Sequence, residues 1–253
     1  MNEDGEETMK RLLIGGRLDG QPETLECLSE QYAHHHPDAV CIGGLWAGSH
    51  SVDRKMSPRQ KDFYRAFFTA AKSMRCPVFV LPGEHDVPLA DFARLVMMAE
   101  LDNPHVHCIH ATPYESAGVH VVGVGGDLNE VIDTWNDRLR SSRSAVEYYL
   151  RHLTRTPVDH TIVMLTTPPS GQLSMALRSD LAGDTKLASE VIHSVHPELA
   201  ITFGETESRG VSRIASTCVV NPGRLSDGSV AVLDLSRPDA ANFIDAKVSS
   251  HAS

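Results

Sequence analysis

Residues 78–86 read VFVLPGEHD. Val78, Phe79 and Val80 form the short apolar run of a strand buried on both faces, and Pro82-Gly83 stops it abruptly. The chain then has to turn at the carboxyl end of that strand, where open α/β sheets place their ligands. Three polar side chains, Glu84, His85 and Asp86, follow at once. Taken alone they read as an ordinary strand-to-helix turn, with Asp86 near the start of the next helix. The rest of the chain decides whether they are more than that.

The same pattern recurs on the amino-terminal side. Arg11 to Ile14 predicts a strand that ends in the turn Gly15 to Gly20, and Ala39 to Ile42 one that ends in Gly43-Gly44. Pro22 to Ala33 predicts a helix with Leu25 and Leu28 on one face. His34-His35-His36-Pro37 closes it, and cationic side chains at a helix C-terminus ahead of Pro need no metal to explain them. Ser57 as N-cap and Pro58 at the first helical position open a helix to about Met74, with Phe63, Phe67 and Ala71 as its core stripe. Trp46 reads as a packing residue.

Beyond residue 86, Leu89 to Glu100 reads as a helix, and 105–110 and 119–124 as strands. His105, His107 and the Ile109-His110 pair alternate with apolar residues, and period 2 makes them one exposed face before it makes them ligands. Asp127 to Arg143 is polar enough for a mobile flap. Ala145 to Leu153 predicts a helix, Thr161 to Leu165 a strand running into Thr166-Thr167-Pro168-Pro169, and 168–183 a loop. A helix over 184–196 and a strand over 199–203 follow. The remainder predicts strands alone, at 211–214, 217–220, 230–235 and 243–248, with turns at Asn221-Pro222-Gly223 and Asp227-Gly228. With no repeat and no long linker, residues 9–248 are expected to be one domain, flanked by a disordered acidic tail at 1–8 and a short tail at 249–253.

Composition narrows the function classes. The chain has 253 residues, 41% of them hydrophobic, enough for one large α/β core. A formal net charge of −10 argues against nucleic acid or an anionic membrane as partner. No apolar run approaches the roughly 18 residues of a membrane span, and the acidic start MNEDGEE does not look like a signal peptide. Cys27, Cys41, Cys76, Cys108 and Cys218 are scattered without a C-x-x-C pair, which predicts buried free thiols in a reducing, cytoplasmic setting.

Five strands thus finish in polar or Gly-rich turns, at 15–20, 43–48, 82–86, 166–169 and 204–207. In this spacing the chain resembles the calcineurin-like metallophosphoesterase superfamily, with its blocks D-x-H, G-D-x-x-D/E, G-N-H-D/E, a His ahead of a loop, and G-H-x-H. VLPGEHD resembles the third block with Glu84 in place of the Asn ligand. The longest match is VVNPGRLSDGSVAVLDL over 219–235, which resembles the family's C-terminal framework. The resemblance implies a four-layer α/β/β/α sandwich of two mixed sheets. It also implies two divalent ions about 4 Å apart at the strand ends, binding phosphate oxygens and activating a hydroxide. In that scheme the block-three His stabilises the transition state or protonates the leaving group.

The metal blocks themselves are eroded, as in the family's metal-poor prokaryotic members, which this chain resembles most. Aligned on Gly20, Arg17 stands at the Asp ligand and Asp19 at the His; Gly44 stands at the bridging Asp. L-T-T-P-P puts Thr167 where a His is expected, and G-E-T-E-S-R-G aligns Glu205 and Glu207 with two histidines, or loses one by deletion. Only His85 and Asp86 are unaltered. Two readings follow. In the first, the protein is a pseudoenzyme without cofactor that binds a protein partner or a small phosphorylated ligand. Its cleft would be lined by Arg17, Asp19, Gly44, Glu84, Asp86, Thr167, Glu205 and Glu207, and Arg17 would pair with Glu84, Glu205 or Glu207 in place of a metal. In the second, it is a phosphomonoester or phosphodiester hydrolase with a rebuilt site. Asp19, Glu84, Glu205 and Glu207 would then hold Mn²⁺ or Mg²⁺, and His85 would act as general acid.

Overall fold

The computed structural model describes residues 9–47, 55–86, 88–116, 118–129, 139–151, 160–170, 182–204, 206–246 and 248. The two expected tails, the middle of the expected flap, most of the 168–183 loop and Glu205 lie outside them.

The chain begins as strand, helix, strand: β1 (Arg11–Gly15), α1 (Glu23–His35), β2 (Ala39–Gly43), α2 (Pro58–Lys72), β3 (Val78–Leu81), α3 (Leu89–Asp102) and β4 (Val106–Cys108). Next come β5 (Tyr114–Ser116), β6 (Val119–Val124), β7 (Asp127–Asn129), β8 (Arg140–Ser142), α4 (Arg143–Leu150), β9 (His160–Leu165), α5 (Ala182–Val195) and β10 (Leu199–Thr202). Four strands close the fold: β11 (Gly210–Ile214), β12 (Thr217–Asn221), β13 (Ser229–Asp234) and β14 (Asn242–Asp245).

The strands form two mixed sheets of six, in the orders β14-β13-β1-β2-β3-β4 and β11-β12-β10-β9-β6-β5, and a parallel pair β7-β8. In the first sheet β1 through β4 run parallel and β13 pairs antiparallel with β1; in the second, β12, β10, β9 and β6 run parallel between antiparallel edges.

Alternation along each strand divides the core into three. Leu12, Ile14, Cys41, Phe79 and Leu81 face Ile162, Met164, Leu199, Ile201 and Val220 between the sheets. Leu13, Val40, Ile42, Val78 and Val80 face the other way, onto Leu25, Leu28, Phe63, Phe67, Phe92 and Val96 of α1–α3. Val122, Val163, Leu165, Ala200 and Val219 pack on Val146, Leu150, Leu187, Val191 and Ile192 of α4 and α5. Three apolar interlayers mean four layers, the expected α/β/β/α sandwich. Full burial of each large side chain is worth roughly 1.5–3 kcal/mol, and the central strands, apolar on both faces, collect it twice.

Local signals explain where the elements stop. The Ser57 hydroxyl accepts from the Gln60 N–H and caps α2 as expected. Both α1 and α5 end at a left-handed His, His36 and His196, each followed by Pro and an acidic residue. The N–H groups of these two residues donate to the carbonyls of Tyr32 and Ile192, a helix-closing bond in each case.

Some expectations need correction. The strand foreseen over 105–110 is only Val106–Cys108, because His110 leaves it to bridge Gly123. His107 is half-buried, tilted against Phe79 and Tyr114, so the histidines do not share an exposed face. The ends of the expected flap are ordered as β7 and β8. The C-terminal quarter holds three short 3₁₀ turns as well as strands. Among the described residues no helix is long and apolar enough to cross a membrane. The five cysteines carry free thiols, Cys108 half-buried and the others buried.

Candidate functional site

The strand-end turns are laced together. Leu18 and Gly20 of the first donate backbone N–H groups to Gly44 and Leu45 of the second, at 3.0 and 2.9 Å. Gly44 donates to Leu81 at the end of β3, and Gly126, after β6, to Pro82. The approach is so close that a Cβ on Gly83 would lie 2.9 Å from the Gly44 Cα. Across the sheets, a Cβ on Gly43 would run into the Phe203 ring at the end of β10, and one on Gly204 would press on Pro168 and Asn221. The five turns picked out from sequence therefore do meet at one edge of the sandwich.

Asp19 sits in this edge with φ 55, a left-handed conformation that Asp tolerates better than most residues. Its carboxylate, only 4% exposed, is enclosed by cations. Arg17 Nε lies 3.3 Å from Oδ1, and Arg224 Nε donates to Oδ2 at 3.0 Å, with Arg224 Nη2 on the same oxygen. The Ser226 hydroxyl also donates to Oδ2, at 2.7 Å. Burial alone would raise the Asp19 pKa. Arg17, Ser226 and Arg224 more than reverse it, and the carboxyl is held below its usual value. The two arginines come from opposite ends of the chain, and the Ser226 N–H donates to the Arg17 carbonyl, so the C-terminal framework is pinned to the first turn.

Gly44 is the other half of this arrangement. It has φ 81, and a Cβ there would meet the Arg17 Cγ at 3.2 Å. The space a side chain at position 44 would use is taken by the stem of Arg17.

Asp86 is buried completely and is surrounded by neutral donors. The Leu45 and Gly83 N–H groups donate to its Oδ2 at 2.8 Å each, and the Tyr64 hydroxyl to its Oδ1 at 2.5 Å. Gln60 Nε2 in turn donates to Tyr64. Burial pushes the Asp86 carboxyl up to about 6 despite these hydrogen bonds. Asp86 therefore buttresses the β2 and β3 turns from behind and offers nothing to a ligand.

The other expected residues divide. Glu84 and His85 form a partly exposed pair, Oε1 to Nε2 3.1 Å. Thr167 is buried, its hydroxyl accepting from the Leu128 N–H at 3.1 Å, so it ties β7 to the β9 turn and does not line an open cleft. Glu207 is exposed on a 3₁₀ turn. Among the described residues a carboxylate against Arg17 is Asp19, a pairing the sequence reading did not foresee, while the expected partner Glu205 lies outside them. That reading also missed Arg224, Ser226 and Tyr64. For Arg224 a signal existed: it follows Asn221-Pro222-Gly223, itself a turn at a strand end.

A family model described as metallophosphoesterase, calcineurin superfamily, matches residues 6–241. The chain belongs to that superfamily. Solved structures agree on the fold of this metallophosphoesterase-superfamily chain. One crystal structure, 24% identical, superposes with a TM-score of 0.80 over 94% of this chain and 100% of that one. The protein TT1561 of Thermus thermophilus, 23% identical, gives 0.78 over 95% and 100%. GAP50, the anchor in the inner membrane complex of Plasmodium, gives 0.52 at 10% identity over 96% and 90%. No curated protein matches the sequence significantly.

Membership implies divalent ions at the strand ends, and the donors described here fit them poorly. An ion at Asp19 would have to displace two guanidinium groups, and Asp86 is sealed by N–H and O–H donors. Among the described residues no three of His, Cys, Asp and Glu gather into a cation site.

Proposed function

We propose that this chain is a non-catalytic member of the metallophosphoesterase superfamily, a single-domain cytoplasmic protein over residues 9–248 whose strand-end cleft serves binding or scaffolding. The observation that carries this reading is the enclosure of Asp19 by Arg17 and Arg224. A hydrolase of this fold needs exposed, unpaired oxygen and nitrogen donors to hold its metals. Here the first-turn carboxylate is committed to two permanent cations. Candidates for what is bound are a protein partner or a small phosphorylated ligand, and neither nucleic acid nor membrane suits the acidic chain.

A second reading has its own observation. Glu84 lies 3.1 Å from His85, and both are partly exposed. A carboxylate-oriented imidazole of this kind can serve as a general acid, as a hydrolase dependent on Mn²⁺ or Mg²⁺ would require. One experiment separates the two. Purified protein is incubated with a chromogenic phosphomonoester and a chromogenic phosphodiester, with Mn²⁺, with Mg²⁺ or with EDTA, beside His85→Ala. We expect no turnover above the His85→Ala background in any condition. Turnover that needs metal and is lost in His85→Ala would establish the hydrolase instead.

A further inference from the structure

The departures of this cleft from a metal site are linked. Arg17 packs its stem where a side chain on Gly44 would go, with 3.2 Å between Cγ and the would-be Cβ. Its guanidinium reaches Asp19. Arg224 reaches the same carboxylate from the far end of the chain, and its Nε also lies 3.9 Å from Asp227. The backbone N–H of Arg224 donates to the Thr206 hydroxyl, which itself donates to Asp227 Oδ2 at 2.7 Å. Both guanidinium side chains are partly exposed, 24% and 28%, while the carboxylate between them is 4% exposed.

We propose that Arg17 and Arg224 are the built-in counter-cations of this cleft. They do in place what divalent ions do elsewhere in the superfamily: they neutralise the first-turn carboxylate and clamp the β1 turn to the C-terminal turn. The inference rests on the non-catalytic reading and extends it, since it assigns the structural work of the missing ions to two named side chains. The physics favours the exchange. A guanidinium stays charged at every accessible pH and offers several N–H donors in a fixed fork, so it holds a carboxylate without any supply of metal. It also accounts for Gly44, because the Arg17 stem needs a neighbour without a side chain. With both arginines removed, Asp19, Asp227 and the Ser226 hydroxyl are left around vacated space. Hard oxygen donors of this kind suit Mn²⁺ or Mg²⁺.

Thermal melts of the full chain test this, each in EDTA and in excess Mn²⁺. Wild type should melt at the same temperature in both. The double variant Arg17→Ala/Arg224→Ala should melt lower in EDTA and regain roughly 5 °C with Mn²⁺. Adding Asp19→Ala to it should abolish that gain, which a merely structural role of the arginines would not predict. Arg17→Lys/Arg224→Lys keeps the charges and should remain indifferent to Mn²⁺; it serves as the folded reference if the alanine pair does not fold. In that case Arg224→Ala alone is read for the Mn²⁺ gain. A wild-type protein that itself gains stability from Mn²⁺ would overturn the proposal, as would alanine variants that melt alike in both conditions. The hydrolysis assay fails independently of these melts: an inactive wild type with unresponsive variants sinks this inference and leaves the functional reading standing.

Discussion

Asp19 and Asp86 lie in the turns on either side of the β2 turn at one cleft edge, both nearly sealed from water, and they are held by different kinds of group. Asp19 is flanked by two guanidinium cations and a hydroxyl. Asp86 meets backbone N–H groups and the Tyr64 phenol, with no cation on it among the described residues. The consequence is a split in acidity: Asp19 is held below the usual carboxylate range, and Asp86 is pushed up to about 6. Cations cancel a buried charge, whereas neutral dipoles only solvate it in part. Asp19 thus belongs to the electrostatic face of the cleft and Asp86 to the scaffold behind it.

The largest test of that contrast is truncation. Asp86→Ala strands the Leu45 and Gly83 N–H groups and the Tyr64 hydroxyl in a place water does not reach. We expect a loss of about 3–5 kcal/mol, or roughly 2–4 °C in Tm for each kcal/mol in a domain of this size. Asp19→Ala frees guanidinium groups that are already partly in water, and should cost about 1–2 kcal/mol. Urea melts of the two variants measure both. Equal losses would show that the two carboxylates are not held differently.

How much of this was legible in the sequence depends on the range of the interactions. Apolar runs such as VFVL and AVCI, the Ser57-Pro58 helix start and the His-Pro helix ends are local signals, and each marked its element. The turns around Gly15–Gly20 and Pro82–Asp86 could be placed at one edge because parallel strands carry their ends to the same side. The Asp19–Arg224 contact spans 205 positions, and nothing in spacing or periodicity encodes such a pair. Glu84 and Arg17 looked complementary as residue types, yet the turn geometry put Asp19 beside Arg17. β5 and the β7-β8 pair are three residues long per strand, too short for a period-2 pattern to stand out.

The acid dependence of stability sharpens the same contrast at a smaller scale. The folded pKa of Asp86, about 6, lies above its ordinary value of 3.8, so the folded chain takes up a proton before the unfolded chain does. The cost of burying the charge is fully present above pH of about 6 and is relieved as pH falls toward 3.8. Between pH 7 and pH 5 this should add about 1 kcal/mol to wild-type stability relative to Asp86→Asn. Asp19 acts with the opposite sign. Its pKa is lowered on folding, so its contribution is present above 3.8 and is lost only as pH falls through its folded value. Chemical melts across this range, on wild type and Asp86→Asn, measure the slope. A wild-type slope no different from that of Asp86→Asn would remove Asp86 as its source.

The finest cut is made by Tyr64→Phe, which takes one donor from Asp86 and leaves the two N–H groups in place. The Tyr64 hydroxyl, 2.5 Å from Oδ1, lowers the Asp86 pKa against the larger effect of burial. Without it the charged form loses part of its solvation, and the Asp86 midpoint should move above the wild-type value of about 6. The stability change itself should be small, about 1 kcal/mol at neutral pH, since the ring still fills the space between Phe63 and Phe92. Gln60 Nε2 loses this one hydrogen bond in the same step. The midpoint is therefore the discriminating quantity, because loss of packing alone would shift stability equally at every pH. The measurement is the pH at which the stability slope turns, compared between wild type and Tyr64→Phe. An upward shift keeps the Tyr64 hydroxyl among the neutral dipoles that solvate Asp86; an unmoved midpoint means that burial and the backbone N–H groups set its charge without the phenol.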